Sequence, residues 1–367
     1  MKKTLLKWYK SDSKIISALA LVIMTVFMLA FLDLKAVKIT RDRLIKEGAS
    51  KKPIMIYWDI LIWYVIFGYD PSAYTEFHFI NKTAKERLTF VSYTEQILFA
   101  RSINLDAKTE IFDKKYNTYE YFKEHYHREQ ITIKTQDDKQ KYSEFIARHP
   151  KFFCKPYDGT SGRGTHMVDI KEKDSDQVFN ELISSGAYLL EELIVQCQEM
   201  AQFNSSSINT VRTALVNTKD GIEMLFAEIR TGRKGSIVDN GGAGGILIPC
   251  DINTGKLCKY GFDNTGKKYT AHPDSNVIFE NFQIPRWPEI QQLSKDLMAK
   301  VPNLKYVGWD IAIADNYLVI VEGNSRPMFG GLQGMHQTGF KKEILEILKT
   351  DKIPASFRTK QQEIFQC

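Results

Sequence analysis

The stretch that decides the fold is Tyr306-Val307-Gly308-Trp309-Asp310-Ile311-Ala312-Ile313, followed by Leu318-Val319-Ile320-Val321-Glu322-Gly323-Asn324. Both segments have the apolar composition of strands, and both carry side chains with oxygen ligands. Glu322 and Asn324 are two positions apart, so on a strand they point to the same side. Hard oxygen ligands without sulfur or imidazole suit Mg²⁺ or Mn²⁺ rather than zinc. The hairpin therefore predicts a metal site formed by Asp310, Glu322 and Asn324.

The length of the connection decides whether the two carboxylates can meet. A three-residue loop at 315–317 would place Asp310 opposite Glu322 on one face of the hairpin. A two-residue turn at 315–316 would place them on opposite faces, because side chains alternate with a period of two. The metal interpretation therefore requires the odd loop or a β-bulge, and the alternative is a strand pair with ordinary edge carboxylates. With the odd loop, the core face would carry Ile311, Ile313, Val319 and Val321.

A second motif lies near the middle of the chain. Residues 151–156 form a predicted strand that contains Lys155, a polar loop rich in glycine follows at 157–165, and a strand resumes at 166–170. Glycines let backbone N–H groups approach phosphate oxygens closely. No Gly-Lys-Ser/Thr ends the loop, and a strand rather than a helix follows it, so it is neither a P-loop nor a dinucleotide fingerprint. A hairpin that folds over a triphosphate, with Lys155 on the phosphates, is one interpretation, and a hairpin without function is the other. The loop positions expected at the phosphates are Gly159, Ser161, Gly162 and Gly164.

A third segment, 187–194, is typical of a buried strand that ends in two acids, Glu191 and Glu192. An acid at the edge of an apolar strand can accept a hydrogen bond from an adenine amino group. The backbone that follows, at Leu193 and Ile194, would then contact the edge of the ring. Glu199, or Gln198 beside it, is placed to meet a ribose. The alternative is that the acids are simply solvated at a strand end.

The order of these motifs resembles the ATP-grasp superfamily. More narrowly, the segments 207–212, 238–245 and 307–310 resemble its sugar-transfer-associated group. The resemblance covers about residues 50–350. It implies an α+β fold, the ATP-grasp fold, in which a nucleotide is held between two α+β subdomains. An N-terminal helical region would precede them.

The resemblance also implies a role for each matching position. Lys114 resembles the first nucleotide-contacting lysine, with Lys115 as an alternative register. Arg212 and Arg230 are two candidates for the arginine that stabilises the transition state. The remaining implied assignments are Lys155 to the phosphates, Glu191 to the adenine side, Glu199 to the ribose side, and Asp310, Glu322 and Asn324 to magnesium.

The expected chemistry is carboxylate activation with ATP and Mg²⁺ or Mn²⁺. A substrate carboxylate would attack the γ-phosphorus, and an amine would then displace phosphate from the acyl phosphate to form an amide. The group resemblance suggests that the carboxylate belongs to a sugar acid or amino acid in cell-surface polysaccharide synthesis, such as a uronic acid on a lipid-linked sugar. The alternative is a phosphotransferase acting on a sugar hydroxyl, which needs the same metal and lysines. A non-catalytic nucleotide-binding scaffold has no use for the metal ligands.

Composition limits the partners and the compartment. The chain has 367 residues, 43% of them hydrophobic, which is enough for two or three domains. The net charge of +6 suits an anionic substrate or a membrane surface, but the lysines are scattered, and no dense basic patch favours nucleic acid. The five cysteines are widely spaced without a C-x-x-C pair, which is typical of a reduced, cytoplasmic protein without a zinc site.

The N-terminus contains an uncharged run, Ile15 to Leu32, flanked by basic residues on both sides. Its 18 residues are at the lower limit for a membrane span. Basic residues before the run favour an inside N-terminus, and a spanning helix would then carry the catalytic part away from cytosolic ATP. We therefore expect a helix that lies on or dips into the inner face of the membrane or docks on a partner, the alternative being a buried core helix. A second apolar stretch, Ile54 to Phe67, suits a membrane surface or packing on the catalytic body equally well.

These observations divide the chain into five expected segments. They are an apolar helix with a basic linker at 1–50, a helical region at 51–112, an ATP-grasp subdomain with the glycine-loop hairpin at 113–200, a second ATP-grasp subdomain with the metal site at 201–350, and a tail at 351–367.

Overall fold

The structure is a computed structural model that describes residues 8, 9, 11, 13–28, 33–105, 107, 109–112, 114–157, 164–233, 235, 236, 244–263 and 266–365. Helices and two antiparallel sheets make up this part of the chain. The predicted α+β class is therefore confirmed.

The chain up to residue 112 is helical where the structure describes it. Local sequence signals set several helix ends. Ser92 and Glu95 form a capping box at one start, and Gly68 ends another helix in a left-handed conformation with φ of 70°. The helices are α1 (Lys14–Met28), α2 (Leu34–Lys46), α3 (Pro53–Phe67), α4 (Pro71–Glu76), α5 (Ala84–Arg87) and α6 (Tyr93–Ile103), with 3₁₀ turns at Phe79–Asn81 and Glu110–Phe112.

The smaller sheet has four strands in the order β1-β4-β2-β3, all antiparallel. One face packs on two helices, where Phe152 of the sheet is buried with Phe145 and Phe179 of the helices. Its elements, with the two short helices that precede it, are α7 (Lys115–Tyr121), α8 (Lys123–Tyr126), β1 (Gln130–Ile133), α9 (Lys139–Arg148), β2 (Lys151–Pro156), β3 (His166–Asp169), α10 (Ser175–Ser185) and β4 (Tyr188–Glu192), with 3₁₀ turns at Gln136–Asp138 and Ile170–Glu172.

The larger sheet has seven strands in the order β11-β10-β5-β6-β7-β8-β9, also antiparallel. Its elements are α11 (Gln198–Ala201), β5 (Thr210–Thr218), β6 (Gly221–Thr231), β7 (Ile246–Pro249), β8 (Gly261–Phe262), β9 (Lys268–Tyr269), α12 (Trp287–Ala299), β10 (Tyr306–Ile313), β11 (Leu318–Asn324), α13 (Gly330–His336), α14 (Lys341–Thr350) and α15 (Ala355–Phe365).

The two faces of the larger sheet have different coverings. On one face, Val211 and Trp309 are buried in a core that includes Leu297 of α12. On the other face, Ala214 and Tyr306 are covered by a second core with contributions from α6 and α14. Further along the same strands this second covering stops, and the residues that continue its face are charged. The candidate site lies there.

In the β10–β11 hairpin, a β-bulge places Asp310 and Glu322 on the same face of the sheet. Ile313 pairs with Leu318, and the N–H of Ala314 donates to the carbonyl of Tyr317. Only residues 315 and 316 therefore remain in the loop. The turn is therefore the two-residue type, and of the two alternatives that the metal interpretation allowed, an odd loop or a β-bulge, the structure has the bulge. A register shift between Asp310 and Ile311 then restores the pairing of Asp310 with Glu322. For the same reason the core partners from β11 are Leu318 and Ile320, not Val319 and Val321.

Asn104 links the N-terminal helices to the larger sheet. Its side chain is 4% exposed, and its oxygen accepts hydrogen bonds from the backbone N–H groups of Lys305 (2.8 Å) and Tyr306 (3.0 Å). Its amide nitrogen donates to the carbonyls of Tyr306 (2.8 Å) and Ser325 (3.1 Å). One side chain thus satisfies buried backbone groups at the start of β10 and just after β11.

We predict that Asn104→Ala lowers the free energy of unfolding by about 1–3 kcal/mol, since it leaves buried backbone groups without partners. Urea unfolding followed by circular dichroism measures the change. Asn117→Ala is the matched control, because Asn117 is exposed and makes one hydrogen bond, of 3.3 Å. Equal stability of the two variants would contradict the anchoring role.

Candidate functional site

A row of charged side chains crosses four neighbouring strands of the larger sheet. Glu322 pairs with Asp310, Asp310 with Arg212, and Arg212 with Glu228. Directly paired residues share one face of a sheet, so these four side chains form one line. The line lies where the apolar covering of that face ends, and its Glu322 end lines the space between the two sheets.

The centre of the row is a buried ion pair. Both Asp310 oxygens contact Arg212: Nε meets Oδ1, and Nη2 lies 2.5 Å from Oδ2. Arg230 adds a second guanidinium, with Nη1 3.5 Å from Oδ2. Burial raises the pKa of Asp310, but the neighbouring charges of Arg212 and Arg230 outweigh burial and hold the pKa below its ordinary value. Asp310 is therefore ionised in its buried position.

Glu322 is the exposed end of the row, with a side chain that is 44% exposed. Like charges directly opposite each other destabilise a strand pair unless a cation lies between or beside them. Asp310 has Arg212, and Glu322 has Lys115, whose Nζ is 3.1 Å from Oε1. Asn324 follows two positions later at the end of β11, with its Oδ1 accepting from the N–H of Arg326 at 2.8 Å.

The donor set fits a hard divalent cation. Two carboxylates on paired residues and one amide oxygen, all on β10 and β11, are the ligand types that Mg²⁺ prefers. Among the described residues, no three His, Cys, Asp or Glu side chains converge closely enough to hold a metal ion by themselves. A metal would thus depend on Asn324 and on non-protein oxygens, such as those of a phosphate. The metal assignment stays a prediction.

A second charged cluster lies on the smaller sheet. Lys155 of β2 and Arg128 both bind Oε2 of Glu191, at 2.5 Å and 2.9 Å, and Gln130 donates to Oε1 at 3.1 Å. Burial raises the pKa of Glu191, yet the charges of Arg128 and Lys155 lower it to about 2. Burial lowers the pKa of Lys155. The Glu191 carboxylate therefore faces Lys155 rather than a free strand edge, and its adenine role stays a prediction.

Arg128 joins this cluster to the metal hairpin. Its Nη1 binds Glu191, and its Nη2 donates to the carbonyl of Val321 in β11 at 3.2 Å. Lys115, Glu191 and Glu322 line one small cavity between the sheets. The predicted phosphate lysine and the predicted metal carboxylates thus belong to one connected group of charges.

The structure distinguishes between Lys114 and Lys115, the two candidates for the first nucleotide-contacting lysine. Lys115 contacts Glu322 as described above, whereas the Nζ of Lys114 lies 5.6 Å from the centre of the Tyr157 ring. Lys114 immediately precedes α7. The alternative register, Lys115, is therefore the one whose side chain reaches the predicted metal site. The nucleotide contact itself stays a prediction for both residues.

Part of the glycine loop falls outside the described residues. Gly159, Ser161 and Gly162 lie there, and their predicted phosphate contacts remain predictions. Gly164 is described, with φ of 74°, and a Cβ at this position would lie 2.8 Å from Cγ of Pro156. Glycine is therefore required at this end of the loop, both by the backbone conformation and by the close approach to Pro156.

The remaining predicted nucleotide residues follow β4. The carboxylate of Glu192 accepts from the N–H of Glu129 at 2.9 Å, so it ties β4 to the start of β1. Leu193 and Ile194 are partly exposed beyond the strand, and Glu199 is exposed at the start of α11. The structure does not bring Glu199 into the charged clusters. The roles of these residues stay predictions.

The sequence did not predict two residues of the candidate site, Glu228 and Arg128. Glu228 is 6% exposed, and its nearest cation is Nε of Arg230, at 3.9 Å. Burial raises its pKa. Its signal was the pair of charges, Glu228 and Arg230, at alternate positions of an otherwise apolar strand. Arg128 has no such signal, because it follows a left-handed residue, His127, in a connection between elements.

Comparison with known proteins places the chain in a family. The model of the sugar-transfer associated ATP-grasp family matches residues 95–349, and the chain belongs to this family. The family membership confirms the predicted ATP-grasp fold. Among curated proteins, none matches the chain.

Solved structures show distant likeness. An N5-carboxyaminoimidazole synthetase from Staphylococcus aureus, complexed with ADP, has 12% identity and a TM-score of 0.45 over 70% of this chain and 59% of that one. A D-alanine–D-alanine ligase from Coxiella burnetii has 12% identity and a TM-score of 0.40 over 75% of this chain and 68% of that one. An ADP complex of an N5-carboxyaminoimidazole ribonucleotide synthetase has 11% identity and a TM-score of 0.40 over 65% of this chain. The chain spans 48% of that protein's length.

We predict that Glu322→Gln lowers ATP turnover by about 100-fold or more, since it removes a negatively charged ligand from the predicted Mg²⁺ site. Glu322 is the cleaner test than Asp310, because Asp310→Asn would also leave Arg212 buried without its partner. The control is Asp315→Asn, which removes an exposed carboxylate from the turn of the same hairpin. Turnover is measured by ADP release over a Mg²⁺ titration, and near-native turnover of Glu322→Gln would show that the metal site is misassigned.

Proposed function

We propose that this chain is an ATP-dependent carboxylate–amine ligase that acts through an acyl phosphate. The observation that carries the proposal is the charged row, in which Asp310 and Glu322 stand beside the buried Arg212 on one face of the sheet, with the half-buried Arg230 next to Asp310. Anionic reactants need such a surface, because phosphate and carboxylate repel each other until their charges are neutralised.

The nucleotide would lie between the two sheets. Lys155 and Lys115 supply positive charge from opposite sides of the space, one on β2 and the other at the start of α7. The hairpin that contains Gly164 would cover the phosphates. Asp310, Glu322 and Asn324 would hold Mg²⁺, which supplies further neutralisation of the phosphate oxygens.

Arg212 and Arg230 would have different roles. Both oxygens of Asp310 contact Arg212, so Arg212 holds that carboxylate in place. The Nε of Arg230 is buried and has no hydrogen-bond partner among the described residues. A buried donor without a partner carries a free-energy cost that a substrate oxygen would remove. Arg230 is therefore the arginine that would contact the reacting carboxylate or the transferred phosphoryl group.

The reaction then needs positioning rather than a protein nucleophile. A carboxylate oxygen of the substrate bonds to the γ-phosphorus as the bond to the β–γ bridging oxygen breaks, and ADP leaves. An amine attacks the acyl carbon, phosphate leaves, and the nitrogen loses a proton. Association of the family with sugar transfer suggests a sugar acid, or an amino acid in polysaccharide synthesis, as the carboxylate.

A product assay separates this function from its competitors. Purified protein, ATP and Mg²⁺ are incubated with a panel of uronic acids and amino acids and analysed by mass spectrometry. We expect an amide together with ADP and free phosphate. A phosphorylated product without free phosphate would instead establish a phosphotransferase, and nucleotide binding without turnover for any pair would establish a scaffold.

The N-terminal helices support a second part of the proposal, attachment to a membrane surface. No helix in the described part of the chain is long and apolar enough to cross a bilayer. The described part of the predicted run is α1, and residues 29–32 lie outside it. Ile15 is 81% exposed and Val26 is 58% exposed, so α1 is not a fully buried core helix. Helix α3 buries one face and exposes the other, at Ile54, Trp58, Ile62 and Ile66.

The charge around this apolar surface suggests its partner. These four exposed positions of α3 are four apart and form one stripe, with Met55 exposed beside it. Lys35, Lys38 and Lys52 are exposed nearby, and a basic rim around an apolar face with tryptophan is typical of helices that lie in the interface of an anionic membrane. The inner face is the side with ATP. We infer that α1 and α3 hold the enzyme there, next to lipid-linked substrates.

We predict that Ile62→Glu reduces binding to vesicles that contain anionic lipid, because burial of an isoleucine contributes about 1.5–3 kcal/mol. Co-sedimentation measures the bound fraction. Ile278→Glu is the control, since Ile278 is 67% exposed on the larger-sheet subdomain. If the wild-type chain remains in the supernatant, the membrane proposal fails while the ligase proposal stands.

A further inference from the structure

A pocket of about 350 Å³ lies beside the outer strands of the larger sheet. It is formed by β7, β8 and β9 together with α13 and α15, and none of its residues belongs to the site described above. The residues that matter to its chemistry are Lys259, Tyr260, Phe262, Lys268 and His336.

The pocket carries positive charge beside aromatic rings. The ammonium groups of Lys259 and Lys268 lie 5.7 Å and 5.2 Å from the centre of the Tyr260 ring, and that of Lys268 lies 5.9 Å from the Phe262 ring. Neither lysine forms an ion pair with a carboxylate in the described part of the chain. Lys360, in contrast, is neutralised by Glu343 at 3.0 Å. Glu363 is the acidic residue in the described lining, so Lys259 and Lys268 leave the pocket with an excess of positive charge, which favours an anionic ligand.

An unsatisfied nitrogen points to the same conclusion. Nε2 of His336 is buried and has no hydrogen-bond partner among the described residues. Burial, with a contribution from the charge of Lys268, lowers the pKa of His336 to about 3, so the imidazole is neutral. A neutral imidazole can donate from Nε2 to an anion oxygen, which would satisfy the buried atom.

The register of the sheet fixes the pocket's distance from the reaction site. Pro249, in the pocket wall, pairs with Glu228, which pairs with Arg212. Two strand spacings separate Pro249 from Arg212, or about 10 Å. Paired residues share a face, so the pocket opens along the same side of the sheet as the charged row. The separation between the pocket and the charged row is therefore on the scale of one phosphorylated sugar.

We propose that this pocket binds the phosphate-bearing end of a phosphorylated sugar acid, whose carboxylate lies at Arg230. The proposal rests on the ligase function and names its acceptor class. The phosphate lies between Lys259 and Lys268 and accepts from Nε2 of His336. The sugar ring packs on Tyr260, because the apolar face of a sugar ring fits an aromatic side chain.

Calorimetric titration tests the pocket without turnover. Glucuronic acid 1-phosphate is the probe, and glucuronic acid and inorganic phosphate are titrated separately. Lys268→Gln with Lys259→Gln should weaken binding of the probe by 10-fold or more. Lys267→Gln is the matched control, since Lys267 is the neighbouring exposed lysine and does not line the pocket. ATP affinity should be the same in all variants.

A second variant separates the sugar from the phosphate. Tyr260→Leu should weaken binding of the sugar phosphate and leave inorganic phosphate unaffected. Inorganic phosphate that binds as tightly as the probe, or a probe affinity that none of these variants changes, would overturn the proposal while the ligase function stands. Binding of the probe that depends on Lys268, without amide formation from any sugar acid or amino acid, would support the pocket and contradict the ligase function.

Discussion

The buried pairing of Arg212 with Asp310 is the interaction on which the site depends. Two charges removed from water carry a large desolvation cost, which only close and well-aligned contacts offset. The contacts here use both oxygens of the carboxylate, and they require β5 and β10 to be neighbours in one register. The same register sets Glu322 on one side of the pair and Glu228 on the other. The pairing of the strands therefore determines both the ion pair and the geometry of the charged row.

Two further contacts extend that constraint to the rest of the molecule. Arg128 connects the hairpin to the smaller sheet, since its guanidinium binds both Glu191 and the backbone of β11. Asn104 connects the N-terminal helices to the opposite end of β10, at Tyr306. The space between the sheets is thus bordered by side chains whose partners lie on different elements. A change in the position of one sheet would alter the ion pairs of the other.

The sequence predicted what depends on local spacing. The alternation along β10 and β11 indicated a strand pair with oxygen ligands on one side, and the order of motifs indicated the ATP-grasp fold. The bulge between Asp310 and Ile311 was one of two open alternatives, because the sequence does not show where a register shifts. Arg128 could not be placed from the sequence, since its partners Glu191 and Val321 lie far away along the chain. Glu228 joins the charged row only through the pairing of β6 with β5, which the sequence does not show. The choice between Lys114 and Lys115 likewise required the orientation of α7.

The bulge, whose extra residue is Val321 of β11, has a consequence for how this hairpin can change during evolution. An even turn with a bulge and an odd loop without one both place Asp310 opposite Glu322. The two arrangements differ only in which side of β11 enters the core, Leu318 and Ile320 or Val319 and Val321. All four residues are apolar, so either side can be buried. Both arrangements contain the same number of residues between Asp310 and Glu322, so the extra residue can lie either in the bulge or in the turn. Related chains of equal length can therefore differ in turn type while the two carboxylates stay together.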